Sequence, residues 1–509
     1  MIIDTYAPVR RMNSEIQPLP DPTAPVAAGA GSHAPAVLRS SALQIGGHAG
    51  AIALTAASTI VLTRFLGVDD YGRFTVLTVF LLIGASLSEF GLNGTAIRWF
   101  ASGERPEDVF ASLIGLRLVL SSTAAVIALV IFALYPHSET PLSAVILTTI
   151  AMVLAGVNLT IPTALQARLD FRLAVVLDLT ARVVTFAVFV AAALIVTSEN
   201  ADRRLVAAAF ALPAGYLVAV VVGLVAVHRL SFPIVPTFHP ATWRRLLRDA
   251  APLGVVMILG LASYRLDALV LALLQDSHAV GIYGLAYRFM EAAIPIGAFI
   301  TFAIFPLLVR EEADRERRAL QIARAADLLL VVSIAIAVGT IVLAPDLVRA
   351  LGGDAYAPSV VPLRILVLSL PFTFTGMILS WTLIARGLQH RLIPIVAAGL
   401  TLNLVLNLAL VPTYSYKASA GVTLATEAVG AAVLVFFVRR WLDVSPSLGS
   451  VAKIVVSGGI ALGAGLLCAQ FSDILGTVVA IAVFAGLVLA LGLITRGEVD
   501  ALIRGVPRT

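Results

Sequence analysis

Long apolar stretches recur along the chain from about residue 43 onwards, separated by short polar connections. A helix of ~20 apolar residues crosses the ~30 Å hydrocarbon layer of a bilayer, so each stretch can span a membrane. The sequence therefore predicts an all-α integral membrane protein. We place fourteen spans at about 43–64, 74–96, 109–134, 142–165, 173–197, 205–228, 250–274, 279–309, 325–345, 360–385, 392–412, 418–438, 451–470 and 474–495.

Composition supports this class and excludes others. Of the 509 residues, 59% are hydrophobic and 13% are charged, whereas a soluble domain carries ~25% charged residues. The pI of 9.5 does not indicate a nucleic-acid partner, because the basic residues form short clusters between the apolar stretches. The sequence has a single cysteine, Cys468, and shows no HExxH, GxSxG, Cys/His cluster or phosphate-binding loop. We therefore expect no enzyme activity, no metal site and no cofactor.

The basic residues predict the orientation of the chain. About 24 of the 35 Lys and Arg residues lie on the side of the two termini, against seven on the other side. Loops rich in Lys and Arg stay in the cytoplasm, so we expect both termini to be cytoplasmic. Residues 1–38, rich in Pro, Ala and Gly, are expected to form a disordered cytoplasmic tail.

The rest of the chain divides into two bundles and an extension. We expect a first six-helix bundle at 39–228, a cytoplasmic linker at 229–249 and a second six-helix bundle at 250–440. Within the linker, residues 243–248 (WRRLLR) form either a short basic amphipathic helix or a plain charged segment. Residues 441–509 are expected to supply two more spans and a cytoplasmic C-terminus.

Two short matches indicate an internal repeat. Tyr71-Gly72 corresponds to Tyr283-Gly284, and Arg168 corresponds to Arg386, at offsets of 212 and 218 residues. Because six spans separate the copies, both halves have the same topology. That arrangement predicts a pseudo-two-fold axis along the membrane normal, with a central cavity between the halves.

The chain also resembles a known family. Residues 64–73 (RFLGVDDYGR), 279–283 (AVGIY), 286–288 (AYR), 353–358 (GDAYAP) and 403–412 (NLVLNLALVP) resemble motifs of bacterial O-antigen and exopolysaccharide flippases. These belong to the MATE-like multidrug/oligosaccharidyl-lipid/polysaccharide exporter superfamily. The resemblance implies two six-helix bundles with two further helices, and alternating access. It also implies that the cargo is an undecaprenyl-diphosphate-linked oligosaccharide repeat unit. A polysaccharide polymerase and a chain-length regulator are the partners that it implies.

Other functions remain open from the sequence. An ion-coupled exporter of drugs or other small molecules would share the same superfamily. A membrane-bound polysaccharide polymerase or a glycosyltransferase belongs to a different class, and a non-transporting scaffold is a further alternative. Polymerases and glycosyltransferases typically need a large external loop or a soluble catalytic domain, and neither is visible between the predicted spans.

Ionisable residues inside the spans are the best candidates for a substrate site. An arginine at the centre of a membrane helix costs ~2.5–3.5 kcal/mol on the insertion scale, so it should face a protein interior or a wet cavity. Arginine also presents a planar fork of donors that suits phosphate. We therefore predict a cationic cavity that binds the lipid-linked oligosaccharide, lined by Arg117, Arg182, Arg265, Arg288, Tyr264 and Tyr287.

Each arginine also has a structural interpretation. Arg117 is close enough to the cytoplasmic end of its span to snorkel to the surface. Arg182 can pair with Asp178, four residues before it on the same helix face. Arg288 can likewise pair with Glu291, three residues after it. Arg265 and Asp267 are two residues apart and point in different directions, so Arg265 lacks a partner on its own helix. A cavity role is therefore favoured for Arg265.

Five carboxylates in the spans are candidates for ion coupling or for structural hydrogen bonding. They are Glu89, Asp178, Asp267, Glu291 and Glu427. Asn403 and Asn407 share a helix face, and we expect them to join helices through hydrogen bonds.

Overall fold

A computed structural model describes residues 30–134, 140–167, 171–197, 200–309, 315–442 and 447–493, and every regular element in these ranges is a helix. The predicted tail lies largely in residues 1–29, outside the described residues. The α-helices are α1 (Ala30–Glu89), α2 (Leu92–Ala101), α3 (Pro106–Leu134), α4 (Leu142–Asn158), α5 (Ile161–Ala167), α6 (Phe171–Ile195), α7 (Ala201–Arg229), α8 (Pro240–Leu274), α9 (Ser277–Val309), α10 (Arg315–Gly352), α11 (Val360–Val367), α12 (Leu370–Ala385), α13 (Leu392–Leu442), α14 (Leu448–Ala469) and α15 (Asp473–Ala490). Two 3₁₀ turns, Asp354–Ser359 and Gln389–Arg391, precede α11 and α13.

The helices confirm the predicted class. Among the described residues, eleven helices are long and apolar enough to cross a membrane, or up to twelve if Pro240–Leu274, which bends by 43°, counts as one span. Two of the eleven segments, Gly50–Phe100 and Leu392–Leu442, are 51 residues long. At ~1.5 Å per residue, a straight helix of that length would extend more than twice the ~30 Å hydrocarbon layer.

Each of these two long segments contains a break between its two predicted spans. Gly67 has φ 75° and Ser415 has φ 51°, so neither residue continues the right-handed helix. Glycine adopts this left-handed region without a steric penalty, which explains the break at Gly67. If each segment crosses twice, as the predicted spans on either side of each break require, the predicted fourteen crossings are reached. The exact number stays a prediction.

The connections between spans gather at two opposite ends of the bundle. At one end, Arg204 of α7 bonds Asp70 at 3.4 Å, and His278 of α9 contacts Asp69 at 2.9 Å. These residues follow the predicted fifth, seventh and first spans, so the odd-numbered connections share one side. These contacts are consistent with the prediction that successive loops alternate between the two sides of the membrane.

Contacts at the opposite end join the even-numbered connections. Trp99 of α2 donates to the Asp249 carboxylate at 3.0 Å, and Arg245 pairs with Glu104 at 2.9 Å. This end also carries the Lys/Arg-rich loops, and we refer to it as the basic side.

The linker differs from the expected arrangement. Residues 243–248 form the first turns of α8, which begins at Pro240 and continues into the span. Leu246 is fully buried, and the Trp243 ring nitrogen donates to the Ser112 backbone carbonyl at 3.0 Å. Because these side chains pack against α3, this segment is neither a separate surface helix nor a plain charged linker.

The two halves meet along α1 and α9, where their backbones come very close. A Cβ added to Gly72 would lie within 3.0 Å of the Ser277 carbonyl, and one added to Gly281 would lie within 3.0 Å of the Val68 carbonyl. Only glycine allows this approach, and it explains why glycine stands at both positions. The helices α14 and α15 pack outside the second half, against α10.

Candidate substrate site at the junction of the two halves

Helices α8 and α9 bring two arginines onto one carboxylate. The Arg265 guanidinium donates to Glu291 Oε1 at 2.5 Å, and Arg288 Nη1 donates to Glu291 Oε2 at 2.8 Å. The three side chains keep 10%, 22% and 20% of their surface exposed, in the order Arg265, Arg288 and Glu291. Two guanidinium groups therefore share one carboxylate, which leaves one positive charge in excess.

The partner of Arg265 was not visible in the sequence. Arg265 has no acidic partner on α8, as its spacing from Asp267 predicts, but Glu291 reaches it from α9 across 26 residues of sequence. The pair formed by Arg288 and Glu291 follows from their spacing on one helix. The structure thus combines the two predictions, the local pair and the arginine without a local partner, into one cluster.

Two tyrosines enclose the Arg265 guanidinium. Its central carbon lies 5.1 Å from the centre of the Tyr264 ring and 5.3 Å from that of Tyr287. The Tyr287 hydroxyl donates to the Tyr264 backbone carbonyl at 2.6 Å, which fixes the Tyr287 ring, and the two rings meet edge-on at 5.3 Å. A cation within ~6 Å of an aromatic ring is attracted to the π-face, so the tyrosines stabilise the charge without neutralising it.

A third tyrosine places this cluster at the junction of the halves. Arg288 Nε donates to the Tyr71 hydroxyl of α1 at 3.2 Å. The Tyr71 ring contacts the Tyr356 ring edge-on at 5.9 Å, and the Tyr356 hydroxyl donates to the Gly67 carbonyl at 3.0 Å. Tyr71 was identified in the sequence as part of the repeat and of the family motif at residues 64–73, and not as a site residue. Its contact with Arg288 depends on how the halves pack, which no local pattern indicates.

Asp267 lies in a neighbouring polar group deeper in the second half. Its carboxylate accepts hydrogen bonds from the Tyr283 hydroxyl, from Thr423 Oγ1 at 3.1 Å and from the Ala268 amide at 2.7 Å. Asp267 is buried, and these recorded donors are hydroxyls and an amide rather than a cation. Tyr283 and Thr423 were not among the predicted site residues.

One of the two predicted asparagines joins the arms of α13 on either side of Ser415, and the other bonds to it within one arm. Asn403 Nδ2 donates to Thr426 Oγ1 at 3.1 Å, across 23 residues of sequence. Asn407 Nδ2 donates to the Asn403 side chain at 2.9 Å. Asn403 therefore shows the expected role of joining helices, whereas the recorded hydrogen bonds of Asn407 stay on its own arm.

Arg117 lies in a separate polar group in the first half. It is fully buried and donates to Asn93 Oδ1 at 2.9 Å, so the predicted alternative of snorkelling to the surface is wrong. Thr163 also donates to this Asn93 oxygen. The Glu89 carboxylate accepts from the Gly91 amide at 2.9 Å and caps the break between α1 and α2, which is a structural role.

The remaining predicted residues lie away from the junction cluster. Arg182 and Asp178 pair at 2.9 Å on α6, as their spacing predicts, with 44% and 57% of their side-chain surfaces exposed. Arg182 also reaches Thr55 at 3.3 Å. Glu427 lies on α13 beside Thr373 of α12. Of the six residues predicted to line one cationic cavity, four therefore meet, and Arg117 and Arg182 stand apart.

A cavity of about 950 Å³ lies between the halves. Its walls come from α1, α3 and α4 on one side and from α8 and α9 on the other, and most of the lining residues are apolar. None of the four predicted arginines lines it, although Arg73 and Asp276 do, so this inter-half cavity is largely apolar with one residue of each charge, and not the predicted cationic cavity.

A family comparison identifies the chain. Residues 44–312, more than half of the chain, match the family model described as "Polysaccharide biosynthesis protein". The chain belongs to the polysaccharide biosynthesis protein family. Residues 252–409 of this polysaccharide biosynthesis protein also match the MatE model. No curated protein matches the sequence significantly.

Solved structures share the fold of this polysaccharide biosynthesis protein. The lipid II flippase MurJ in an inward closed conformation has a TM-score of 0.72 at 12% identity, over 89% of this chain and 98% of that chain. A transporter of the MOP superfamily from Pyrococcus furiosus has a TM-score of 0.58 at 15% identity, over 80% and 95%. An outward-facing MATE family multidrug resistance transporter has a TM-score of 0.56 at 15% identity, over 78% and 95%. These likenesses confirm the expected MATE-like superfamily fold.

Proposed function

We propose that this protein is a flippase for undecaprenyl-diphosphate-linked oligosaccharide repeat units. It moves them from the cytoplasmic to the periplasmic leaflet of the inner membrane by alternating access, for the biosynthesis of cell-surface polysaccharide. The observation that carries the proposal is the cluster at the junction of the halves, where Arg265 and Arg288 share the single carboxylate of Glu291. Family membership and the likeness to a lipid II flippase support it.

The chemistry of the cluster suits this cargo. A diphosphate linker is anionic, and a guanidinium binds phosphate through paired, charge-assisted hydrogen bonds. Arg288 and Arg265 can exchange Glu291 for phosphate oxygens when the halves separate, because the cluster lies where Arg288 meets Tyr71 of the first half. Tyr264 and Tyr287 offer ring faces and hydroxyls to a sugar. The apolar isoprenoid tail stays in the hydrocarbon layer throughout, so only the diphosphate and the sugars need a polar path across the membrane.

Asp267 is the carboxylate we assign to coupling. It is buried in a span, where a charge is expensive, and its recorded hydrogen bonds come from neutral donors. Binding of a proton or a sodium ion to Asp267 would remove that cost. It would also alter the hydrogen bond that Thr423 of α13 donates to this carboxylate, and so couple ion binding to the position of α13. Glu291 is already shared by two arginines, and Glu89 caps a helix break, so both are less suited to release an ion.

The decisive experiment removes the arginines one at a time. Arg265→Ala and Arg288→Ala should each lower transport at least ~tenfold, since a hydrogen bond to a charged group contributes ~1.5–3 kcal/mol. Transport is measured as the amount of lipid-linked repeat unit that reaches the periplasmic leaflet, and membrane insertion is checked by immunoblot. Arg182→Ala is the matched control, because it removes an arginine from an exposed pair elsewhere.

A second variant separates loss of binding from loss of structure. Arg288→Ala leaves Glu291 paired with Arg265 and makes the cluster neutral, and adding Glu291→Gln restores the single positive charge of the wild-type cluster. If this double variant inserts normally and still fails to transport, the arginine acts on the cargo. Full complementation by both single alanine variants would refute the proposal.

An ion-coupled multidrug exporter is the alternative favoured by one observation, the MatE match over residues 252–409. Deletion of a flippase would leave lipid-linked repeat units on the cytoplasmic leaflet. Deletion of an exporter would leave the glycan unchanged and make cells hypersensitive to drugs. Deletion of a polymerase would leave single repeat units on the periplasmic leaflet.

The orientation and partners belong to the same proposal. We infer that both termini are cytoplasmic, on the basic side, and that a polysaccharide polymerase and a chain-length regulator act on the delivered repeat units. A green fluorescent protein fused to a cytoplasmic C-terminus should fluoresce. Green fluorescent protein folds in the cytoplasm, but it does not fold correctly when it is exported to the periplasm as an unfolded chain. A dark fusion combined with an active periplasmic alkaline phosphatase fusion would reverse the orientation.

A further inference from the structure

The two arms of α13 enclose a second cavity, with a volume of about 730 Å³. All of its lining residues lie between His390 and Trp441, so no residue of the first half contributes to it. The cavity is therefore distinct from the junction cluster of Arg265 and Arg288. Its volume is in the range of cavities that hold small-molecule ligands, ~300–1,000 Å³.

The body of this cavity is apolar and has room on both walls. Ile395 and Leu402 line it from the first arm, and Val433 and Phe437 line it from the second. Gly399 and Gly430 face it as well, and a Cβ added at either glycine would meet nothing within 4 Å. Glycine on both arms thus leaves a gap that an apolar chain can fill.

The mouth of the cavity is basic and aromatic. His390 and Arg391 line it, and the Arg391 guanidinium lies 4.7 Å from the centre of the Trp441 ring. Both basic side chains are exposed, and the lining set contains no acidic residue. The mouth opens on the basic side, where α13 begins and ends. A positive mouth repels cations and attracts an anionic group, so the charge does not favour an ion pathway.

We propose that this cavity binds a resident anionic phospholipid of the leaflet on the basic side. The phosphate contacts Arg391 and His390 at the mouth, and one acyl chain lies between the arms, against Gly399 and Gly430. Basic residues beside a tryptophan at the membrane surface are suited to an anionic headgroup, and the apolar body is suited to the chain. The proposal commits to a phospholipid and not to the cargo, because the junction cluster that binds the diphosphate in the proposed function contributes no residue to this cavity.

The experiment uses the full-length protein in zwitterionic nanodiscs with phosphatidylglycerol added in steps, and counts retained lipids by native mass spectrometry. Arg391→Ala should weaken retention of phosphatidylglycerol about fivefold, equivalent to the ~1 kcal/mol that one basic residue contributes to attraction of anionic lipid. Gly430→Leu should block the acyl chain and abolish the retained lipid. The matched controls are Arg440→Ala, at the same end of α13 but outside the lining, and Gly459→Leu on α14, which also faces open space.

Gly399→Leu repeats the blocking test on the other arm, should Gly430→Leu fail to fold. Retention of phosphatidylglycerol that is equal in wild type, Arg391→Ala and both leucine variants would overturn the proposal. Equal retention of phosphatidylcholine and phosphatidylglycerol would also overturn it, because the basic mouth would then have no role. Binding of inorganic phosphate without lipid, or of undecaprenyl phosphate in preference to phosphatidylglycerol, would assign the cavity to a different ligand.

Discussion

Gly281 offers a direct test of whether the two halves separate during the transport cycle. It lies where α9 crosses α1, and a Cβ at this position would come within 3.0 Å of the Val68 carbonyl. The atom in the way is backbone, which cannot rotate aside as a side chain can. Gly281→Ala should therefore destabilise the state in which this end is closed, and leave the state in which it is open unaffected.

The size of the effect follows from the overlap. Real Cβ atoms essentially never approach closer than 3.0 Å, so the helices must shift to admit the methyl group. Overpacking of this kind costs ~1–3 kcal/mol. A change of that size in one state corresponds to a ~5–150-fold shift in the ratio of open to closed molecules.

Distances between spin labels measure that ratio. The chain has a single cysteine, so Cys468→Ser provides a cysteine-free background. Labels at Leu134→Cys and Asp354→Cys report across the halves, because both positions are exposed and lie at the end that Gly281 closes. Double electron–electron resonance should show a longer-distance population in Gly281→Ala. Gly421→Ala is the control, since its Cβ meets nothing within 4 Å.

Two results would refute the reasoning. An unchanged distance distribution in Gly281→Ala would show that the contact does not hold this end closed. Gly72→Ala, which introduces an overlap with the Ser277 carbonyl from the opposite helix, should reproduce the effect. A shift in only one of the two variants would point to a local distortion rather than to separation of the halves.

Three further predictions concern stability. Tyr283→Phe leaves buried Asp267 without one of its hydrogen bonds and should lower the free energy of unfolding by ~1–3 kcal/mol, measured by unfolding of the purified protein. Phe374→Ala opens a cavity at a fully buried position and should cost ~3–5 kcal/mol in the same assay. Arg245→Ala breaks an exposed ion pair with Glu104 and should lower the free energy of unfolding by less than ~1 kcal/mol. High salt screens this ion pair, so the difference in stability between wild type and variant should disappear at high salt.

Local rules account for what could be predicted about the site. The pairs Arg182–Asp178 and Arg288–Glu291 form because residues three or four apart share a helix face. The snorkelling alternative for Arg117 was wrong for a complementary reason: its partner, Asn93, comes from another helix, and nothing on α3 indicates it. The apolar character of the inter-half cavity was equally inaccessible, because it depends on which faces of five helices turn towards each other.

The sequence by itself determined the all-α membrane class, the alternation of connections between two ends and the relation to polysaccharide flippases. Bilayer thickness and helical periodicity act within one segment, so each span can be recognised without its neighbours. Only the tertiary structure decided that Arg265 and Arg288 share Glu291, that Tyr71 joins them from the other half, and that α8 begins at Pro240. These contacts join helices distant in sequence, and such pairings depend on packing between helices, which has no local signature.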